Sequence, residues 1–336
     1  MMVGLMPSAA APCTRVTYTG PENTVITGRT MDWFQPLYTN LWAFPAGITR
    51  DGAAGANSIS WTSKYGSVIS AAYDAATADG MNEKGLVANL LYLGTAQYGP
   101  RDPARPGLSV AGWAQYVLDN FATVSEAVDA LKAEPFQIVS PPMPGGYEPT
   151  MHLSISDASG DSAIFEYLNG KLVIHHGRQF QVMTNEPSYD QQLALDAYWK
   201  DIGGSAMLPG TARPADRFVR ASYYLGQAPK TADRREAVAA MFSIVRNASV
   251  PMGISRAGSP NVAATLWRTV SDQKDRLYFF ESTTSPDVFW VSLDELKLGG
   301  GASTLKLDLS GNPDLAGDVA GRFKTDIPFK FLSSAK

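Results

Sequence analysis

Strand-like and helix-like runs alternate in blocks along this chain, and that order narrows the fold more than any other feature. Residues 13–19 and 24–32 read as two strands about a turn at 20–23, where Gly20-Pro21 breaks the chain. Residues 62–72 and 86–93 are further strands, with a polar turn, DGMNEKG, at 79–85. Helical spacing then occupies 109–120 and 124–133, and Thr123 and Glu126 fit a capping box that starts the second of these. Alternating runs at 151–157, 163–168 and 171–176, broken by DASG and Asn169-Gly170, are hairpin signals. Residues 181–184 read as continuing that sheet. Helices return at 189–199, 216–225 and 233–246, and strands at 265–271, 276–281 and 288–292, the first two joined by a turn at 272–275. Such blocks predict an α+β fold of packed antiparallel sheets with helices outside, in one domain. They do not predict alternating βαβ units, and no glycine-rich phosphate loop follows a strand.

Composition excludes several classes. Apolar residues make up 45 % of the 336 and charged residues 18 %, which supplies a sizeable core. The net charge of −4 gives no electrostatic reason to expect nucleic acid or an anionic membrane as partner. No stretch approaches the roughly 18 apolar residues that cross a bilayer. A single cysteine, Cys13, rules out an intramolecular disulfide framework and any cysteine-based metal cluster. Only three histidines are present, His152, His175 and His176. The last two are adjacent in a strand, face opposite ways and have no third ligand near, so no metal site is expected.

The segment 1–12, MMVGLMPSAAAP, sets an apolar patch before small residues of the kind that precede signal-peptidase cleavage. It reads as the tail of a trimmed export signal, removed on maturation, with 13–336 as the mature domain. Pro12 lies between the alanines and Cys13, so the cut falls after Pro12 or a second trimming step follows.

If 13–19 and 24–32 form a hairpin about 20–23, opposed residue numbers sum to roughly 43 and Cys13 falls opposite Thr30. Arg29 and Asp32 then come close to the thiol. Being three apart, they point to opposite faces of a regular strand, so both reach Cys13 only if the strand bends or ends at Asp32. A neighbouring Arg⁺ favours the thiolate. A Cys13 freed at its amine carries its own base, and no histidine is then needed. The bland alternative is a small buried cysteine beside an ordinary ion pair.

Cys13-Thr14-Arg15 followed by Arg29-Thr30-Met31-Asp32-Trp33 resembles the start of the choloylglycine hydrolase family, which holds penicillin V acylases and conjugated bile salt hydrolases. The resemblance continues at DGMNEKG (79–85), VMTNEP (182–187) and DRFVR (216–220). WTSKYG (61–66), AQYVLDNF (114–121) and LPG (208–210) resemble its Gram-negative penicillin V acylase branch. The resemblance spans nearly the whole chain from Cys13. It implies an N-terminal-nucleophile hydrolase with a four-layer αββα sandwich and no metal or cofactor. It also implies a small-molecule N-acyl amide as substrate, export to the periplasm of a Gram-negative bacterium and a homotetramer.

Carried over residue by residue, the resemblance makes Cys13 the nucleophile, with Arg29, Asp32, Asn185 and Arg217 as its catalytic partners. Asn185 and the backbone N–H of Tyr92 form the oxyanion hole, and Trp33 and Tyr92 line the acyl pocket. Each has an ordinary alternative: Asn185 as a turn residue, Arg217 as a solvated ion-pair residue, Tyr92 as core. Arg220, three residues on, competes with Arg217 for the family's late arginine. Penicillin V, N-acyl homoserine lactones and bile salts remain open as substrates. Rival readings are a lipid-anchored binding protein modified at Cys13, and an inactive relative.

Overall fold

The computed structural model describes residues 13–142, 148–204, 206–254 and 263–333; the segment 1–12 lies outside them. The chain opens with two paired strands, β1 (Cys13–Thr19) and β2 (Val25–Asp32). They sit inside a seven-stranded sheet, flanked by Val182–Thr184 on one side and by Thr265–Asp272, Leu277–Ser282, Val288–Ser292 and Gly317–Asp318 on the other. A nine-stranded sheet is assembled around Ser67–Ala72, Ala76–Asn82, Val87–Tyr92 and the hairpin strands Met151–Ser156, Ser162–Leu168 and Lys171–His176. Pairing is antiparallel almost throughout both sheets.

Helices α1 (Trp113–Asn120) and α2 (Val124–Leu131) cover the nine-stranded sheet. Helices α4 (Pro214–Gln227) and α5 (Arg234–Asn247) cover the seven-stranded one, with α3 (Tyr189–Ile202) against α4. The result is the αββα order that the resemblance implied. Period-2 alternation explains the layering. Ile69, Ala88 and Phe165 pack with Trp113, Val117 and Val124 of the outer helices. Their strand neighbours Val68, Val87 and Ile164 turn inward to a second cluster. Each large apolar side chain so buried contributes about 1.5–3 kcal/mol. On the other side Gly28 of β2 lets α5 approach closely, since a Cβ there would lie 2.6 Å from Met241 Cγ and Sδ.

Three sequence expectations need correction. The β1–β2 register pairs Cys13 with Met31 and Thr14 with Thr30, a sum of 44 rather than 43. The turn is one residue longer than its glycine and proline suggest. Thr24 belongs to it, its N–H bonding Pro21 O at 3.0 Å and its carbonyl accepting from Gly20 N at 2.8 Å. The 79–85 segment is not all turn: Asp79–Asn82 finishes a strand, and Asn82 Oδ1 then closes the turn by accepting Lys84 N and Leu86 N at 3.0 and 3.1 Å. Val182–Thr184 does not continue the hairpin's sheet. It crosses to the other sheet and pairs with β1, Thr184 opposite Thr14.

Thr123 caps α2 as expected, with Glu126 N donating to Thr123 Oγ1 at 3.2 Å, but the reciprocal half of the capping box shifts by one residue, Glu126 Oε2 accepting Ala122 N at 2.8 Å. His175 and His176 pair separately with Asp190 and Asp161.

Candidate active site

Cys13, Arg29 and Met31 share the inner face of the β1–β2 pair, because Cys13 opposes Met31 and Arg15 opposes Arg29. Arg29 Nη2 lies 3.5 Å from Cys13 Sγ and 3.1 Å from Leu90 O, and Nη1 lies 2.5 Å from Ala78 O. Strands Ala76–Asn82 and Val87–Tyr92 pair only at Asp79–Asn89, Gly80–Ala88 and Met81–Val87. Beyond that point the two edges part, and the guanidinium fills the gap with its planar fork. Behind it stands buried Asp79, 3.8 Å from Nη1, held also by Asn89 Nδ2 and the Tyr278 hydroxyl. Burial pushes the Asp79 carboxyl upward, and the Arg29 charge is the first influence opposing it.

Thr14, Thr30 and Asp32 point to the outer face, under α4. This helix starts with Pro214 at its first turn, where a missing N–H costs nothing. Its Arg217 is fully buried. Nη1 reaches the Thr14 hydroxyl and lies 3.4 Å from Asp32 Oδ2, while Nη2 lies 3.3 Å from Asn185 Oδ1. Asp32 further accepts from the Thr30 hydroxyl at 3.0 Å and from the Thr265 hydroxyl. A bulge between Thr265 and Trp267 brings that last threonine opposite Asp32. Burial pushes the Asp32 carboxyl up to about 6, against the pull of Arg217. Burial likewise lowers the Arg217 guanidinium, opposed by Asp32 and then Cys13. Arg220 instead holds Pro209 O and Thr211 O at 2.7 and 2.8 Å, so it clamps a loop away from the thiol.

Asn185 joins the two faces. Its Oδ1 accepts the Cys13 backbone N–H, and its Nδ2 donates to Tyr92 O at 2.7 Å. Two donors converge on Oδ1, so the amide has one orientation, and the second Nδ2 proton is left to serve another acceptor. Leu93 N bonds Thr150 O at 2.9 Å, so the N–H of Tyr92, one residue earlier, is turned to the opposite edge of the strand, the edge Arg29 occupies.

The thiol opens on a cavity of about 310 Å³ between the sheets. Its wall is mostly apolar and includes Met31, Trp33, Leu90, Tyr92, Val110 and Met151. Trp33 and Tyr92 meet edge to face, their ring centroids 6.2 Å apart. Among the described residues, no group of three or more His, Cys, Asp or Glu is arranged to hold a metal ion.

A family model for linear amide C–N hydrolases, choloylglycine hydrolase family, matches residues 13–313, beginning at Cys13. The chain belongs to that family. Its relatives include the penicillin V acylase of Pectobacterium atrosepticum, 51 % identical over 344 aligned positions that cover 95 % of this chain and 92 % of that protein. The solved structure of penicillin V acylase from Agrobacterium tumefaciens superposes with a TM-score of 0.90 at 55 % identity, covering 96 % of this chain and all of that one. The bile salt hydrolase/transferase of Clostridium perfringens is more distant, 26 % identical over 66 % of this chain and 74 % of that protein.

Within this choloylglycine hydrolase framework, Cys13, Arg29, Asp32, Asn185 and Arg217 form one connected cluster, and Trp33 and Tyr92 stand in the cavity wall. Asp32 is placed differently from the simplest expectation. The strand does end there, but its carboxylate faces α4, and only its backbone carbonyl comes near the thiol, 3.8 Å from Sγ. The hydrogen bond from Cys13 N goes to Asn185. Sequence reasoning missed Asp79, hidden in what read as a turn. It also missed Thr14 and Thr265, whose only signal is their place on the outer face of paired strands. Tyr73, in the cavity wall, carried no signal beyond lying between two strand-like runs.

Proposed function

We propose that this family member is an N-terminal-cysteine amidohydrolase that removes the acyl group from penicillin V-like N-acyl amides. One observation carries the reading: the thiol of Cys13 opens on an apolar cavity while the backbone nitrogen of the same residue is held by Asn185. Thiol, future amine and amide donor thus meet at one residue. Two penicillin V acylases at 51 % and 55 % identity support the substrate class.

Removal of residues 1–12, after export to the periplasm, converts the Cys13 amide nitrogen into an amine. The small residues before Pro12 support that step. The amine takes the thiol proton, and the thiolate attacks the substrate carbonyl carbon. The oxyanion accepts hydrogen bonds from the second Asn185 Nδ2 proton and the Tyr92 N–H. The C–N bond then breaks as the ammonium returns its proton to the leaving nitrogen, giving a thioester. Water attacks that thioester with the amine as base, the C–S bond breaks, and the acid departs with the thiol restored. Arg29 stabilises charge at sulfur, and Asp32 acts through Arg217 on the orientation of Asn185.

Cleavage of acyl homoserine lactones would use the same cavity, and assembly as a homotetramer follows the family resemblance. Bile salt hydrolysis is the second reading and rests only on the distant relative.

Intact mass before and after incubation with a slowly released penicillin V analogue tests the proposal. The expected result is a chain beginning at Cys13 that gains one acyl group, and no gain in Cys13→Ser. A fully active chain retaining residues 1–12 would refute the terminal-amine mechanism.

A further inference from the structure

Strands Ser67–Ala72 and Ala76–Asn82 are joined by a tight turn in which Ala75 N bonds Ala72 O at 3.0 Å. Its two central residues, Tyr73 and Asp74, both have positive φ, 57° and 45°. Such turns usually take Asn and Gly, and a bulky aromatic in this region is an outlier. Backbone strain of this kind persists only where the surroundings enforce it, and it gathers at functional sites. Here the enforcement is visible. Tyr73 N bonds Leu37 O at 2.8 Å. The Asp74 carboxylate collects Trp42 Nε1 at 2.7 Å, Lys306 Nζ at 2.8 Å and Asn40 Nδ2 at 2.9 Å.

This clamp delivers the Tyr73 ring to the wall of the active-site cavity. Its hydroxyl oxygen accepts from Trp33 Nε1 at 3.2 Å and from Gln35 Nε2 at 2.7 Å. A phenolic oxygen has two lone pairs and one proton. Both lone pairs are engaged by donors, so the proton is what the group has left to offer. Among the described residues no protein acceptor takes it. In a wall that is mostly apolar, this hydroxyl is therefore a hydrogen-bond donor available to a bound acyl group.

We propose that Tyr73 is a specificity determinant that selects acyl groups bearing a neutral oxygen acceptor in the chain, such as an ether in an aryloxyacetyl group or a ketone in a 3-oxoacyl group. The proposal rests on the amidohydrolase reading above. A hydrocarbon acyl group of the same shape leaves the hydroxyl without an acceptor once water is excluded, and that asymmetry is what produces discrimination.

The test compares phenoxyacetyl and 3-phenylpropionyl amides of one chromogenic amine, which differ by one oxygen in place of a methylene. The mature wild type is expected to favour the ether in kcat/KM by about tenfold, the scale of one hydrogen bond. Tyr73→Phe is expected to lose most of that ratio by slowing the ether substrate alone. Calorimetric binding of phenoxyacetamide and 3-phenylpropionamide to both proteins makes the same comparison without turnover. Equal affinities in the wild type, or equal losses for both ligands in Tyr73→Phe, overturn the role of Tyr73. Discrimination in binding that disappears in Tyr73→Phe, without hydrolysis of either amide, supports Tyr73 and refutes only the amidohydrolase reading.

Discussion

The carboxamide of Asn185 accepts the backbone N–H of Cys13 on one atom and donates to the carbonyl of Tyr92 with the other. One side chain thereby ties Cys13 to the strand that forms the opposite wall. Replacing Asn185 with Ala removes the proposed oxyanion donor and the acceptor of the Cys13 nitrogen together. The expected fall in kcat is about 10²–10³-fold, the usual cost of one such donor. Steady-state kinetics on the mature protein measures it, and an undiminished kcat would remove Asn185 from the mechanism.

Arg29 spans Cys13 Sγ, Ala78 O and Leu90 O with one planar group. Lysine keeps the charge but not the fork. Arg29→Lys is expected to slow iodoacetamide alkylation of Cys13 at neutral pH while leaving the protein folded. Arg29→Ala strands Asp79 as a buried charge, with an expected loss of about 3–5 kcal/mol in unfolding free energy. Urea denaturation beside the alkylation rate separates the two effects.

Burial pushes the Asp32 carboxyl up to about 6 from an ordinary value of 3.8. The folded state therefore binds this proton more tightly than the unfolded state. The stability contributed by that protonation is fully present below about pH 3.8 and is lost as pH rises through about 6. Wild type measured against Asp32→Asn should accordingly lose relative stability between pH 4 and pH 6. Arg217 pulls the Asp32 carboxyl downward, so Arg217→Gln should move the acid limb of the kcat/KM profile to higher pH. An acid limb unmoved in Arg217→Gln would mean that Asp32 does not set it.

Gly28 faces α5 so closely that a methyl group would meet Met241. Gly28→Ala is expected to cost about 1–3 kcal/mol by overpacking. Because Arg29 is the next residue, activity should fall along with the thermal midpoint. A variant of unchanged midpoint would show that α5 yields easily.

Much of this site was legible in the sequence. The spacing of Cys13 and Arg29 across a glycine-proline turn placed the guanidinium beside the thiol, as the structure has it. Other features were not legible. Whether Thr24 joins the turn or the strand depends on its hydrogen bonds to Pro21 and Gly20, and that single residue sets the register. The side to which residues 181–184 turn is likewise decided by pairing with β1, a partner more than 160 positions away, and local alternation is blind to it. The same blindness hid Asp79, whose role comes from Arg29 filling a gap between two strands. Arg217 and Arg220 look alike in a helical pattern, and burial beneath the sheet separates them.

The crossing strand Val182–Thr184 also bears on the order of events during synthesis. Cys13 meets Asn185 across 172 positions of chain. Until that later segment has emerged and docked, one side of β1 has no strand beside it and the Cys13 nitrogen lacks its acceptor. Contacts of such long range form late and slowly. A chain halted before residue 185 therefore cannot give the Cys13 nitrogen its acceptor or assemble this cluster.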